Sequence, residues 1–213
     1  MQTVLRFFVF FLALTGMAYA NEDEGLYAPA PPTGAAFVRF VDATGGNKAL
    51  NLAVGEVKLE APKGGAGAYG IVMQGEQEAV IGNSTAPLVV MAGHFYSVVA
   101  SGSSSAPALN LLEDPRPANP AKAVLVFYNL TDHEILNLST ADGKTTVINA
   151  VAKGISGNRA VNPVNVGLAV SEGGKALAGV APVQLERGQS YSIIATGTGD
   201  EVKAVLVKGA TSG

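Results

Sequence analysis

Two stretches of the chain are written almost alike: "APLVVMAGHFYSVVASG" at residues 86–102 and "APVQLERGQSYSIIATG" at residues 181–197. The shared positions include Gly93 and Gly188, and a tyrosine follows each glycine three residues later. All the shared residues are separated by one constant interval, so the two stretches align without a gap. Since the repeat contains no catalytic residue, it indicates two copies of one structural unit.

Each copy ends in a segment of alternating side chains, which is typical of a β-strand. In the first copy Tyr96, Val98 and Ala100 share one face, which we expect to pack in a core. Ser97 and Ser101 share the other face, which we expect to be wetter. A glycine followed by a tyrosine at the entry to a strand resembles the tyrosine corner of immunoglobulin-like sandwiches, in which the hydroxyl bonds to backbone. The alternative is that the two tyrosines form a pair of ligand platforms.

Other parts of the unit are duplicated as well. "FVRFVDAT" at 37–44 matches "VLVFYNLT" at 124–131, and "ALNLAVGEVK" at 49–58 matches "ILNLSTADGK" at 135–144. The offset between copies grows along the unit, so the second copy carries an insertion, which we place near 154–163. Short β-branched runs separated by Gly and Pro signals, without helical periodicity, predict an all-β chain. We therefore expect two tandem small antiparallel β-sandwiches, immunoglobulin-like or jelly-roll-like, from an internal duplication.

The first residues have the pattern of a secretory signal peptide. Arg6 precedes an unbroken apolar run at 7–14, and Ala18 and Ala20 supply small residues at the cleavage site. We expect cleavage after Ala20. The chain has no cysteine, which excludes disulfides and a lipoprotein anchor, and export without cysteine predicts a bacterial periplasmic or secreted protein, of which we favour the periplasmic one.

The rest of the chain divides by composition. Pro115, Pro117 and Pro120 disfavour both a helix and a central strand, so we place a linker around them. The predicted divisions are a signal peptide at 1–20, an extended Pro-rich arm at 21–36, a first sandwich at 37–112, a Pro-rich linker at 113–122 and a second sandwich at 123–213.

Charge and motifs narrow the function. The formal net charge is −3 and no basic cluster occurs, which argues against nucleic-acid binding. His94 and His133 are expected in surface loops. On a strand, the side chains of Asp132 and Glu134 would point away from that of His133, so these three residues would make a poor metal site. Phosphate loops, nucleotide fingerprints, EF-hands and Gly-x-Ser-x-Gly elbows are absent from the sequence, so we predict no cofactor, no metal and no catalytic residue. Paired carboxylates for glycoside cleavage need only proximity in space, which leaves ordinary-looking candidates such as Glu56, Glu60 and Asp142.

One stretch resembles a known family. "EGLYAPAPPTGAAFVRFVDA" at 24–43, directly after the signal peptide, is similar to the start of the alginate O-acetylation protein family AlgF. The size, the absence of cysteine and the doubled β-domain agree with it. The resemblance implies a periplasmic component needed to add acetyl groups to mannuronate residues of alginate, beside a membrane acyl carrier and periplasmic acetyltransferases. It also implies no active-site residues to carry over.

The leading hypothesis is therefore a non-catalytic periplasmic adaptor that bridges the acetyltransferase components. Two sandwiches joined by a linker would present two surfaces at a fixed spacing, and exposed sheet edges would pair with partner strands. Leu26 and Tyr27 of the arm are the predicted partner contacts, unless the arm folds back on the first sandwich.

Two alternatives stay open. An acetyl-carrying transferase subunit would need a nucleophile, for which Ser156 and the serines of 101–105 are the candidates. A polysaccharide-binding module would use Tyr69 and Tyr128 as sugar platforms, with Arg39, Lys48, Lys58 and Lys63 clustered on one face.

Overall fold

The computed structural model describes residues 30–44, 46 and 49–209, which form sixteen β-strands and no helix. The predicted all-β class is confirmed. In chain order the strands are β1 (Ala35–Thr44), β2 (Asn51–Val54), β3 (Val57–Glu60), β4 (Gly70–Met73), β5 (Gly75–Ile81), β6 (Ser84–Val90), β7 (Phe95–Gly102), β8 (Ala108–Asp114), β9 (Ala123–Thr131), β10 (Ile135–Thr140), β11 (Thr146–Ala152), β12 (Ser156–Val161), β13 (Asn165–Glu172), β14 (Lys175–Gln184), β15 (Ser190–Gly197) and β16 (Lys203–Lys208).

The second half of the fold repeats the first strand for strand. The first sandwich has sheets of order β4-β1-β7-β8 and β3-β2-β5-β6, and the second has β12-β9-β15-β16 and β11-β10-β13-β14. The predicted duplication and the two similar sandwiches are thus confirmed. One detail differs from a purely antiparallel arrangement, since β7 pairs parallel with β1, and β15 pairs parallel with β9.

Most of the insertion in the second copy lies after the place that the sequence predicted. Residues 156–161 of the expected site form β12, which occupies the same sheet position as β4. The hairpin β13–β14 instead extends over 165–184, whereas β5–β6 extends over 75–90, and its pairing shows two register shifts. Bulges take up extra residues without breaking a hairpin, so part of the insertion lies there.

Both tyrosine corners are present. The Met91 backbone N–H donates to the Tyr96 hydroxyl at 3.2 Å, and the Glu186 N–H donates to the Tyr191 hydroxyl at 3.0 Å. The glycine before each tyrosine has a positive φ, 77° at Gly93 and 70° at Gly188. Because both tyrosines are buried, the alternative of a pair of ligand platforms is wrong.

Each sandwich has its own core, and a third core lies between the sandwiches. In the two sandwich cores, Phe40 and Val98 lie in the first, and Phe127 and Ile193 in the second. The third core has members from both sandwiches: Val41, Ala66, Val99, Val124, Val126, Tyr128 and Ile194. The sheets β4-β1-β7-β8 and β12-β9-β15-β16, called the inner sheets below, therefore pack face to face, and the other two are the outer sheets.

This packing corrects the expectation of a wetter face on the repeated strands. Ser97 is 0% exposed and Ser192 is 2% exposed, because each lies on the face that meets the other sandwich. The two sandwiches contact each other directly and do not stand apart on a linker. All the described strands lie within one compact unit. Within the described residues there is no helix of the length and apolarity that a membrane span requires.

Candidate functional site

A buried arginine links the two sandwiches. Arg39 lies in the middle of β1, on the face turned toward the second sandwich, and is 1% exposed. Its Nε donates to the Ser97 Oγ at 2.8 Å. Its Nη2 donates to the Tyr128 hydroxyl at 2.9 Å and to the Ser192 Oγ at 2.8 Å. One guanidinium thus bonds to β7 of its own sandwich and to β9 and β15 of the other.

The counter-charge is Asp114, the last residue of β8, which is 5% exposed. Its Oδ2 lies 3.3 Å from the Arg39 Nη2 and accepts hydrogen bonds from the Tyr69 hydroxyl at 2.6 Å and the Ser97 hydroxyl at 2.7 Å. Its Oδ1 accepts a short hydrogen bond from the Tyr128 hydroxyl. A buried ion pair is tolerated when further hydrogen bonds satisfy both charges, and here they do for the carboxylate.

The network of Arg39, Tyr69, Ser97, Asp114, Tyr128 and Ser192 is called the Arg39 network below, and its two tyrosines and its arginine each keep one protonation state at ordinary pH. Burial, followed by the charge of Asp114, raises the pKa of both Tyr69 and Tyr128 well above its usual value. Burial opposes the charge of Arg39, but interactions with Tyr128 and Asp114 outweigh it and raise the arginine pKa. Both tyrosines therefore stay donors and Arg39 stays a cation.

Only the first of the two copies supplies the charged pair of the Arg39 network, Arg39 and Asp114. The duplicated segments put Val126 at the position of Arg39, and the common interval puts Gly209 at the position of Asp114. Ser97 and Ser192 are equivalent to each other and meet at the same guanidinium. The sequence signal was a charged residue inside the apolar run "FVRFV", where the copy has valine. Sequence reasoning gave Arg39 only a role in sugar binding, which its burial contradicts.

A cavity of about 200 Å³ borders the Arg39 network. Its wall includes Arg39, Tyr69, Phe95, Arg116, Ser190 and Ser192, so it lies between the two sandwiches and the chain that connects them. The Arg116 guanidinium stands 5.1 Å from the centre of the Phe95 ring. This cavity, called the Arg39 pocket below, combines polar donors with apolar walls, as ligand and side-chain pockets commonly do.

A larger groove of about 850 Å³ also lies at the junction of the sandwiches. Its lining includes Lys63, Lys153, Lys203, Asp132 and Glu201, together with several threonines. Charges of both signs line it.

The predicted site residues fall in three different places. Leu26 and Tyr27 lie outside the described residues, as does Lys48. Tyr69 is half-buried in the Arg39 network, and Tyr128 is 0% exposed. Tyr128 therefore cannot serve as a sugar platform. A Tyr128→Ala variant would instead report on the packing between the two sandwiches.

The histidines and serines do not form a catalytic pair in the described part of the chain. His94 Nδ1 lies 2.7 Å from Glu113 on the surface, and His133 contacts Glu172 at 3.1 Å and the Gly199 carbonyl at 2.8 Å. No described serine bonds to either ring. The hydroxyls of Ser103 and Ser105 bond to each other, as expected in a turn, and the described residues contain no group of three His, Cys, Asp or Glu that could hold a metal.

Comparison with known proteins identifies the family. The model of the family "Alginate O-acetyl transferase AlgF" matches residues 9–192. The chain belongs to the AlgF family. It is 36% identical over 198 residues to the alginate biosynthesis protein AlgF of Pseudomonas syringae pv. tomato, covering 92% of this chain and 86% of the relative.

Further relatives agree with this AlgF assignment. The AlgF protein of Pseudomonas fluorescens is 37% identical over 187 residues (87% of this chain, 83% of the relative), and that of Pseudomonas aeruginosa is 35% identical over 192 residues (89% and 86%). A solved structure of the C-terminal domain of AlgF from P. aeruginosa is 40% identical, covers 41% of this chain and 98% of its own, and has a TM-score of 0.38. The family resemblance found in the sequence is confirmed.

Proposed function

We propose that this AlgF-family protein takes part in the O-acetylation of alginate as a non-catalytic adaptor, acting in the periplasm after export. The family match and the relatives' names support the process. The adaptor role rests on one observation: two copies of a sandwich are joined face to face through a buried ion pair and a shared core.

This arrangement favours a rigid body with two separate surfaces. Packed sheets lie about 10 Å apart, so the two outer sheets of a four-layer stack are separated by roughly 30 Å. The spacing comes from the interface between the sandwiches, and not from the linker as the sequence led us to expect. Each outer face is free to receive a different acetylation protein.

Exposed apolar side chains at sheet edges suit the same role. Val89 in β6 is 64% exposed and Met91, the residue directly after β6, is 52% exposed, and β6 is an edge strand of its sheet. Edge strands offer unpaired backbone groups to a partner. Leu26 and Tyr27 remain proposed contacts of the arm.

The first experiment is deletion followed by analysis of the polymer. Cells lacking the chain should still make alginate but without acetyl groups, and re-expression should restore the acetyl content. Unchanged acetylation in the deletion strain would refute a role in this process.

The second experiment separates an adaptor from an acetyl carrier. The purified chain is incubated with an activated acetyl ester and its intact mass is measured. We expect no stoichiometric adduct, because no described serine bonds to a histidine ring, and Ser97, which donates to Asp114, is 0% exposed. An adduct that disappears in Ser156→Ala, or when the serines of 101–105 are replaced, would establish a carrier instead.

A further inference from the structure

The Arg39 pocket has hydrogen-bond donors left over and no free carboxylate. Both oxygens of Asp114 are occupied by donors of the Arg39 network. The bonds of Arg39 use Nε and Nη2, and none joins its Nη1 to a described residue. The Ser192 hydroxyl accepts from Arg39 but donates to no described group. A site with spare donors and saturated carboxylate oxygens is complementary to an acceptor or an anion.

A second arginine adds charge at the mouth of the pocket. Arg116 is exposed and lies over the face of Phe95, and it forms no hydrogen bond or ion pair with any described residue. With Arg39 partly balanced by Asp114, the pocket carries an excess positive charge in a chain whose net charge is −3. This local positive charge would attract an anion even though the net charge of the protein is negative.

An apolar strip leads out of the pocket. The Phe95 ring stacks on Phe37 with centroids 4.4 Å apart. Phe37 pairs with Ile71 across β1 and β4, so both side chains lie on the same face of the inner sheet. Ile71 is 43% exposed, and Met73, two residues further on the same face, is 50% exposed. We define the apolar strip as Phe95, Ile71 and Met73.

We propose that the Arg39 pocket and the apolar strip together dock an acidic side chain, flanked by apolar residues, from a protein partner. The carboxylate enters the pocket toward the Arg39 Nη1 and the Ser192 hydroxyl, and Arg116 pairs with it at the mouth. The flanking apolar residues cover Ile71 and Met73. A cavity of about 200 Å³ is of the size that holds a side chain.

The apolar strip decides between the possible carriers of a carboxylate. A uronate chain is hydroxylated along its length and would leave Ile71 and Met73 without apolar partners. A free small carboxylate would fill the pocket and leave the strip uncovered. A polypeptide supplies both components in one segment, which is the usual composition of an anchored interface. This inference rests on the proposed adaptor role and specifies one of its contact surfaces.

The pocket chemistry is tested with a small probe that does not depend on any partner. The ¹⁵N-labelled chain without its signal peptide (residues 1–20) is titrated with 3-phenylpropionate and, separately, with its neutral isostere 3-phenylpropionamide. The acid should shift the amides of Phe95, Asp114 and Ser192 in a saturable way, and the amide should not. Arg116→Gln should weaken the acid about tenfold, the range expected for losing a hydrogen-bonded charge. Lys58→Gln, which removes an exposed positive charge from an outer sheet, is the matched control and should change nothing.

The docking surface is then tested with purified acetylation proteins. Arg116→Gln and Ile71→Ser should each weaken association with one of them at least tenfold, while Lys58→Gln retains it. If the wild-type chain binds none of them, the adaptor role is refuted. The titration with 3-phenylpropionate still tests whether the Arg39 pocket binds a carboxylate. If the wild type binds and both variants bind equally well, the inference is overturned. The inference is also overturned if 3-phenylpropionate and 3-phenylpropionamide bind equally well. The same holds if alginate oligomers displace the acid and no acetylation protein does.

Discussion

A buried carboxylate oxygen without a partner distinguishes the first sandwich from the second. Asp42 is 0% exposed, and its Oδ1 accepts from the backbone N–H and the hydroxyl of Thr44 at 2.9 and 2.7 Å. Its Oδ2 has no hydrogen-bond partner among the described residues. In the second copy Asn129 takes the same place. Its Oδ1 accepts from Thr131 in the same way, and its Nδ2 donates to the carbonyls of His133 and Val151 at 3.0 and 3.1 Å.

We predict that Asp42→Asn stabilises the protein. The amide keeps the acceptor for Thr44 and replaces an unpaired oxygen, whose burial costs about 1–3 kcal/mol, with an N–H donor. We expect this donor to bind backbone carbonyls, as the Asn129 Nδ2 does in the second copy. In a chain of this size each kcal/mol corresponds to a shift of about 2–4 °C in Tm. Urea unfolding and thermal melts, each followed by circular dichroism, measure both quantities.

The reverse substitution is the matched control. Asn129→Asp removes the donor from the buried Val151 carbonyl and the partly buried His133 carbonyl and should destabilise by about 2 kcal/mol. A Tm for Asp42→Asn at or below that of the wild type would refute the view that the Oδ2 of Asp42 is an uncompensated group.

Three further predictions concern the interface, pH and the corners. Arg39→Leu should cost about 3–5 kcal/mol in urea unfolding because it leaves Asp114 buried without its cation, and adding Asp114→Asn should regain part of the loss; no regain would mean that the charge does not matter. The pKa of His133 is raised by its bond to the Gly199 carbonyl and then by Glu172, so its stabilising contribution is complete below the unfolded-state pKa of about 6.5 and is lost as pH rises through the folded-state pKa. Melts from pH 5 to 9 should show this loss in the wild type but not in His133→Gln. Tyr96→Phe and Tyr191→Phe should each cost about 1 kcal/mol, with the larger loss at Tyr191 because its hydroxyl also donates to the Gln184 carbonyl; equal stability of Tyr191→Phe and wild type would exclude the corner bond.

The duplication and the corners could be predicted because their signals are local. A glycine with positive φ followed by a core tyrosine leaves the same short pattern twice in the sequence. Strand alternation also separated the faces correctly, since Tyr96 and Val98 lie in the first core.

The interface could not be predicted because alternation shows that a strand has two faces and not what covers the second one. Ser97 and Ser192 look like residues of a solvated face. Their hydroxyls instead accept hydrogen bonds from the guanidinium of Arg39, which lies on a strand far away in sequence. The partner of that guanidinium, Asp114, follows "LLE" at the edge of the proline-rich linker and gives no sign of burial. Only the pairing of two distant strands reveals the network.

The proposed adaptor joins acetylation proteins and catalyses no reaction itself. Light scattering on a mixture of the chain with two different periplasmic acetylation proteins that do not bind each other tests this role. We expect a single complex containing all three. Binding of the two proteins one at a time only, or of neither at micromolar concentrations, would contradict it.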